Sequence, residues 1–157
     1  MQGASPEALY ENGEMRGLHE SAGEEMTCTF TIAGRCPTKG STRSFVNPKT
    51  GKVVTLADNK SLGQWTKDAR VIARIAKVPM IYKPHGVRVF ARVEFVKPKT
   101  AKQSTPSVRP DCDKLLRAIL DALTGVGYAD DSQVVYAAIE KAYGPSERVI
   151  VEIGRAA

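Results

Sequence analysis

The apolar positions of this chain repeat with two periods, and the changes of period mark out seven elements. Residues 27–33 (TCTFTIA) alternate and are rich in β-formers, which predicts a strand. GRCPTKGSTRSF follows, punctuated by Gly34, Pro37 and Gly40, and reads as a basic loop. Asn47-Pro48-Lys49-Thr50-Gly51 is turn chemistry, and VVTL at 53–56 is a short strand. Leu62, Trp65, Ala69, Ile72, Ala73 and Ala76 then recur at helical spacing, predicting a helix capped by Asp58 or Asn59 and running to about Lys77. Residues 86–96 (GVRVFARVEFV) alternate strictly, placing Val87, Val89, Ala91, Val93 and Phe95 on one side of a strand. KPKTAKQSTPSVRP at 97–110 has no core residues and reads as a mobile loop. In 113–123, Leu115, Leu116, Ile119, Leu120 and Leu123 form one helical face, and Gly125 and Gly127 end it. Strands at 133–142 and 147–153, joined by Gly144-Pro145, close the chain. The order β, β, α, β, α, β, β predicts an α+β fold, with two helices on one face of a mixed sheet of four to five strands.

Composition adds location and charge. The 157 residues are 42% hydrophobic and 25% charged, the balance of one ordinary globular domain. No apolar stretch reaches the roughly 20 residues needed to span a bilayer. The first residues lack an apolar signal core, so the expectation is a cytoplasmic protein. Residues 1–25 are rich in Glu, Gly, Ser and Ala and read as a disordered acidic tail, with Met15 or Met26 as alternative starts. Through Met26 there are six glutamates against Arg16, a net −5, so with a total of +6 the remainder carries +11. Polyanions are the commonest partners of so basic a domain. Cys28, Cys36 and Cys112 are odd in number and show no CxxC spacing, which argues for free thiols in a reducing compartment.

The chemistry concentrates in 109–131, RPDCDKLLRAILDALTGVGYADD. Five of the eleven acidic residues after Met26 fall there: Asp111, Asp113, Asp121, Asp130 and Asp131. Asp111 and Asp113 straddle a helix start, while Asp113, Arg117 and Asp121 share a helical face. The Gly-containing turn is expected to bring Asp130-Asp131 back toward that start. Converging carboxylates in a basic protein suit a divalent cation that activates water and stabilises charge on a phosphodiester. Arg117 would neutralise phosphate charge. The competing reading makes Asp111 or Asp113 an N-cap, Asp130-Asp131 turn residues, and Asp121 an exposed partner of Arg117.

Other chemistries lack their motifs. There is no EF-hand loop, G-x-S-x-G, Walker A or G-x-G-x-x-G, and His19 and His85 stand alone. Lys39 and Arg43 occupy the first basic loop; Lys97, Lys99, Lys102 and Arg109 precede the acidic helix. Cations around a carboxylate cluster are what a phosphodiester-cutting site requires.

Residues 110–133 (PDCDKLLRAILDALTGVGYADDSQ) resemble the signature of RusA-type Holliday junction resolvases, D-x-D-N-x-x-K-x-x-x-D-A-L followed by D-D-x-Q. TKGSTRSF at 38–45 is similar to that family's basic loop, and Lys141-Ala-Tyr-Gly with RVIVEI to its closing strand pair. The resemblance spans about 27–153, placing the nuclease domain at 26–157. It implies a homodimeric endonuclease, often phage- or prophage-encoded, that cuts four-way DNA junctions symmetrically in recombination and repair. It implies Mg²⁺ as cofactor, with Mn²⁺ the alternative, and Asp111, Asp113 and Asp131 as ligands beside Asp130. Flaps and forks remain alternative substrates. Two positions depart from the pattern: Lys114 stands where the family has Asn, and Arg117 where it has Lys. Arg117 keeps the charge but not the proton chemistry of an ammonium, and Lys114 adds a cation beside the DNA. These departures keep open a junction-binding protein with impaired cutting.

Overall fold

The computed structural model describes residues 10–11, 14–15, 26–40, 42–57 and 61–157. In the segments 42–46 and 53–57 it describes the side chains of Ser44, Val46, Val53 and Val54 alone. The expected acidic tail falls mostly outside the described residues; a two-residue ladder pairs Tyr10–Glu11 with Glu14–Met15.

The alternating segments form a four-stranded mixed sheet of β1 (Thr27–Ala33), β4 (Val87–Val96), β5 (Val134–Gly144) and β6 (Arg148–Arg155). Its spatial order is β1-β6-β4-β5. The last strand therefore lies inside the sheet, antiparallel to both β1 and β4. β5 runs parallel to β4, as a crossover through a helix requires. Register puts Val89 opposite Ile153, Ala91 opposite Val151 and Val93 opposite Val149, and all six are at most 1% exposed. Phe30 and Ile32 extend these rows across β1. Each fully buried Val or Ile contributes about 1.5–3 kcal/mol of hydrophobic stabilisation.

Two helices cover that face. Helix α1 (Leu62–Ile75) buries Trp65, Ala69 and Ala73, while Leu62, Ile72 and Ala76 are half-buried. It starts after Ser61 rather than after the expected Asp58 or Asn59 and ends two residues short of Lys77. Helix α2 (Cys112–Leu123) buries Leu115, Ile119 and Leu123 as expected, but Ala118 and Ala122 are buried beside them instead of Leu116 and Leu120. Small residues there let α1 and α2 approach closely.

One expectation is corrected. The predicted basic loop contains strand β2 (Thr42–Val46), which pairs antiparallel with β3 (Val53–Ala57) in a hairpin outside the main sheet. Its turn is the predicted one: Asn47 O accepts from Gly51 N at 2.8 Å, and Asn47 Oδ1 from Lys49 N at 2.9 Å. TRSFV offers sequence reasoning no run of apolar positions to read, and the strand is defined by its backbone pairing with β3.

The other face of the sheet carries a charge network. Arg148 Nε donates to Glu94 Oε2 at 2.6 Å and Arg92 Nε to Glu94 Oε1 at 3.2 Å, with Arg92 also 3.5 Å from Glu140. Gly144 leaves room, since a Cβ there would stand 2.8 Å from Glu94 Cδ. The Arg148 hydrogen bond holds the Glu94 carboxyl below the usual range against the opposing effect of burial, with the charges of Arg148 and Arg92 adding to it. A depressed folded-state pKa gives stability that is complete above the unfolded value of about 4.3 and is lost as pH falls through the folded one. Urea unfolding measured from neutral to acid pH should therefore lose less stability in Glu94→Gln than in the native chain. Parallel profiles would mean that Glu94 contributes nothing to acid sensitivity.

Candidate active site

The strap 97–110 leaves β4 and delivers the chain to Asp111 at the start of α2. Asp111 occupies the N-cap in extended conformation, yet its carboxylate accepts no capping hydrogen bond. It pairs instead with Lys114 at 3.1 Å. Asp113 follows in the first turn, exposed, with no hydrogen bond or ion pair to any described residue. Negative charge is favourable at this end of a helix. Asp111 and Lys114 line an open cleft of about 490 Å³ together with Arg35, Thr38 and Arg109. Cys36 also lines it, but burial pushes its thiol up to about 12, so it stays protonated and is no nucleophile. All three cysteines are free.

The segment after β1 docks onto α2 through Lys39 N donating to Lys114 O at 3.1 Å. The Lys39 ammonium pairs with Asp121, which the sequence offered to Arg117. Arg117 is exposed and lies over Gly40, where a Cβ would stand 3.2 Å from its Nη1. Gly40 has φ +122°, a backbone conformation that favours glycine.

Asp130 and Asp131 are not returned to the start of α2. Because β5 is parallel to β4, its first residues lie at the C-terminal end of the crossover helix. There Asp130 and Asp131 line a second cleft, about 520 Å³, with Lys39, Arg70, Asp121 and Thr124. Ten residues of α-helix, the separation of Asp111 from Asp121, rise about 15 Å. Asp130 has the turn role that the competing reading gave it: it caps a short 3-10 turn, Asp131–Gln133. The Ser132 side chain and backbone N–H hold its carboxyl below the usual range, and Lys83 adds to this.

Among the described residues, no three acidic, histidine or cysteine side chains converge to hold a metal ion. A two-carboxylate station does not need three. Mg²⁺ commonly takes one or two carboxylates and completes its shell with water and substrate phosphate. Asp111 and Asp113 fit that donor chemistry, being exposed hard-oxygen ligands one helical turn from Arg117.

Of the predicted DNA-contacting residues, Lys97, Lys99, Lys102 and Arg109 are exposed along the strap. Lys97 lies 5.7 Å from the Tyr143 ring centre. Lys114 lies in the Asp111 cleft and Lys39 beside the second one. Arg43 is in β2, with its side chain outside the described residues. Sequence reasoning missed Arg35, which shares the Asp111 cleft; its signal was its place in the same basic segment as Lys39. It also missed Arg70, whose guanidinium donates to the carbonyls of Asp121 and Ala122 at 3.2 Å and closes the end of α2.

Acidic side chains at a helix start, edged by cations on an α+β sheet, are the arrangement that a nuclease acting on a phosphodiester backbone requires. The chain belongs to the endodeoxyribonuclease RusA family, whose model matches residues 36–154. It is accordingly a DNA-cutting hydrolase of the type that resolves Holliday junctions. No curated protein matches the chain. Among the described residues no helix is long and apolar enough to cross a membrane.

Proposed function

We propose that this protein resolves four-way DNA junctions by Mg²⁺-dependent, symmetric hydrolysis of two phosphodiester bonds, acting as a homodimer in the cytoplasm of a bacterial or phage-infected cell. The observation that carries the reading is the Asp111–Asp113 pair at the start of α2, beside a cleft edged by Arg35, Arg109 and Lys114. Asp111 and Asp113 would hold the ion, which when bound supplies Lewis-acid stabilisation and lowers the pKa of water. Arg117 faces the developing phosphate charge from one turn along the helix. The family pattern also assigns Asp131, with Asp130 its neighbour, to the metal set of Asp111 and Asp113; both line the second cleft. Lys39, Arg43, Lys97, Lys99, Lys102 and Arg109 hold the junction arms by phosphate contacts. A two-fold dimer presents one site to each of two equivalent strands.

The test is cleavage of a labelled four-way junction beside a linear duplex of the same sequence, with Mg²⁺ and with EDTA. Paired, symmetric nicks on the junction alone, abolished by EDTA, are expected. Equal cutting of the duplex would remove junction selectivity, and cutting in EDTA would remove the metal. One observation favours a second reading, a junction binder that does not cut: Lys114, where the family pattern has Asn, already engages Asp111. That reading expects a junction gel shift with no cleavage in Mg²⁺ or Mn²⁺, and cleavage regained in Lys114→Asn.

A further inference from the structure

We propose that Lys141 is a positioning residue for the nuclease site, its ammonium group fixing the strap that presents Asp111. The inference rests on the functional reading above and deepens it. The strap's own hydrogen bonds are local: Ala101 N to Pro98 O at 3.0 Å and Ser107 N to Thr105 O at 2.8 Å. Among the described residues, its hydrogen bonds to the rest of the fold both come from Lys141. Nζ donates to Val108 O at 2.7 Å and to Pro110 O at 2.9 Å. Pro106, buried, gives the strap an apolar foothold.

Lys141 stands in β5 opposite Val93, on the sheet face that the helices cover. Its base is therefore a paired strand, while its tip reaches the residue that immediately precedes Asp111. On the other side of Asp111 the chain is held by the first turn of α2, where Leu115 N donates to Asp111 O at 3.2 Å. The carboxylate thus sits between two anchors. One is the helix and the other is Lys141. Donors on an ammonium make stronger bonds to carbonyls than neutral donors do. The strap itself carries Lys97, Lys99, Lys102 and Arg109, so like charge opposes the approach and the two carbonyl bonds hold the position. Catalytic side chains must be kept within about 0.5 Å of productive geometry, and a misplacement of about 1 Å costs on the order of a hundredfold.

The experiment compares the native chain, Lys141→Met and Lys141→Arg in four measurements. These are cleavage rate against Mg²⁺ concentration, junction affinity in EDTA, hydrogen exchange of peptides covering 97–111, and thermal unfolding. Lys141→Met should cut at least about tenfold more slowly and need more Mg²⁺ for half-maximal rate, as a misplaced ligand does. Its junction affinity should stay within about twofold, its 97–111 exchange should accelerate, and Lys141→Arg should recover most of both. Unchanged strap exchange in Lys141→Met overturns the proposal. So does a cleavage loss matched by loss of folded protein, or a parallel fall in affinity with the salt slope reduced by about one, the signature of a direct phosphate contact. If the native chain cuts no junction, the functional reading fails, and the exchange comparison alone decides whether Lys141 holds the strap.

Discussion

Asp113→Asn is expected to slow junction cleavage by about a hundred- to a thousandfold or more, the usual cost of removing one group that stabilises transition-state charge. Junction binding should be kept or tightened. Asp113 is exposed in the first turn of α2 and has no hydrogen bond or ion pair to a described residue, so nothing in the fold depends on its carboxylate. The stability change is limited to losing a favourable charge at a helix N-terminus, about 0.3–1 kcal/mol. Taking a negative charge away from an approaching phosphate removes repulsion, which is why affinity should not fall. Single-turnover cleavage, a gel shift in EDTA and a melting curve separate the three effects. Cutting at the native rate would mean that the site is not at the start of α2. A large drop in melting temperature would mean that the exposed position has been misread.

Gln133→Ala is expected to cost about 3 kcal/mol of folding stability, the sum of a lost buried amide and its stranded partners. Gln133 is 5% exposed. Its Oε1 accepts from Ala129 N at 3.1 Å and Asp130 N at 3.2 Å. Its Nε2 donates to Ile81 O at 3.1 Å and His85 O at 3.4 Å. One side chain thus ties the turn before β5 to the segment before β4, and truncation strands the Ile81 carbonyl in a buried contact and takes partners from the part-buried groups of Ala129, Asp130 and His85. Urea denaturation gives the number. Gln133→Glu is the sharper control, since it keeps the acceptor and replaces the donor with negative charge against two carbonyls. If Gln133→Ala loses under 1 kcal/mol, water satisfies the stranded groups and the turn is not pinned by this residue.

The acidic signature shows how far spacing reaches. Asp111 and Asp113 were legible as a pair at a helix start because the Leu115–Leu123 stripe fixes where α2 begins. The place of Asp131 was not legible, because it depends on which direction β5 runs beside β4. The partner of Asp121 was equally hidden: i,i+4 spacing offered Arg117, but Lys39 reaches it from 82 residues away. Lys141 stood in the sequence as one residue of a strand pair, and its reach to Val108 and Pro110 exists only once β5 is laid under the strap.

The sequence by itself determined the elements that have a strong local period: β1, β4, both helices and the final strand pair, together with the α+β class. Hydrophobic alternation and the 3.6-residue stripe follow from which face is buried, and that information is local. The residues of the nuclease signature were also local, since they lie within one helix and its turns. Tertiary structure alone decided that β6 lies between β1 and β4, that β2 leaves the sheet to pair with β3, and that the carboxylates divide between the two ends of α2. Those outcomes depend on strand partners and crossover direction, which are set by contacts between residues far apart in the chain and leave no periodic trace in any one segment.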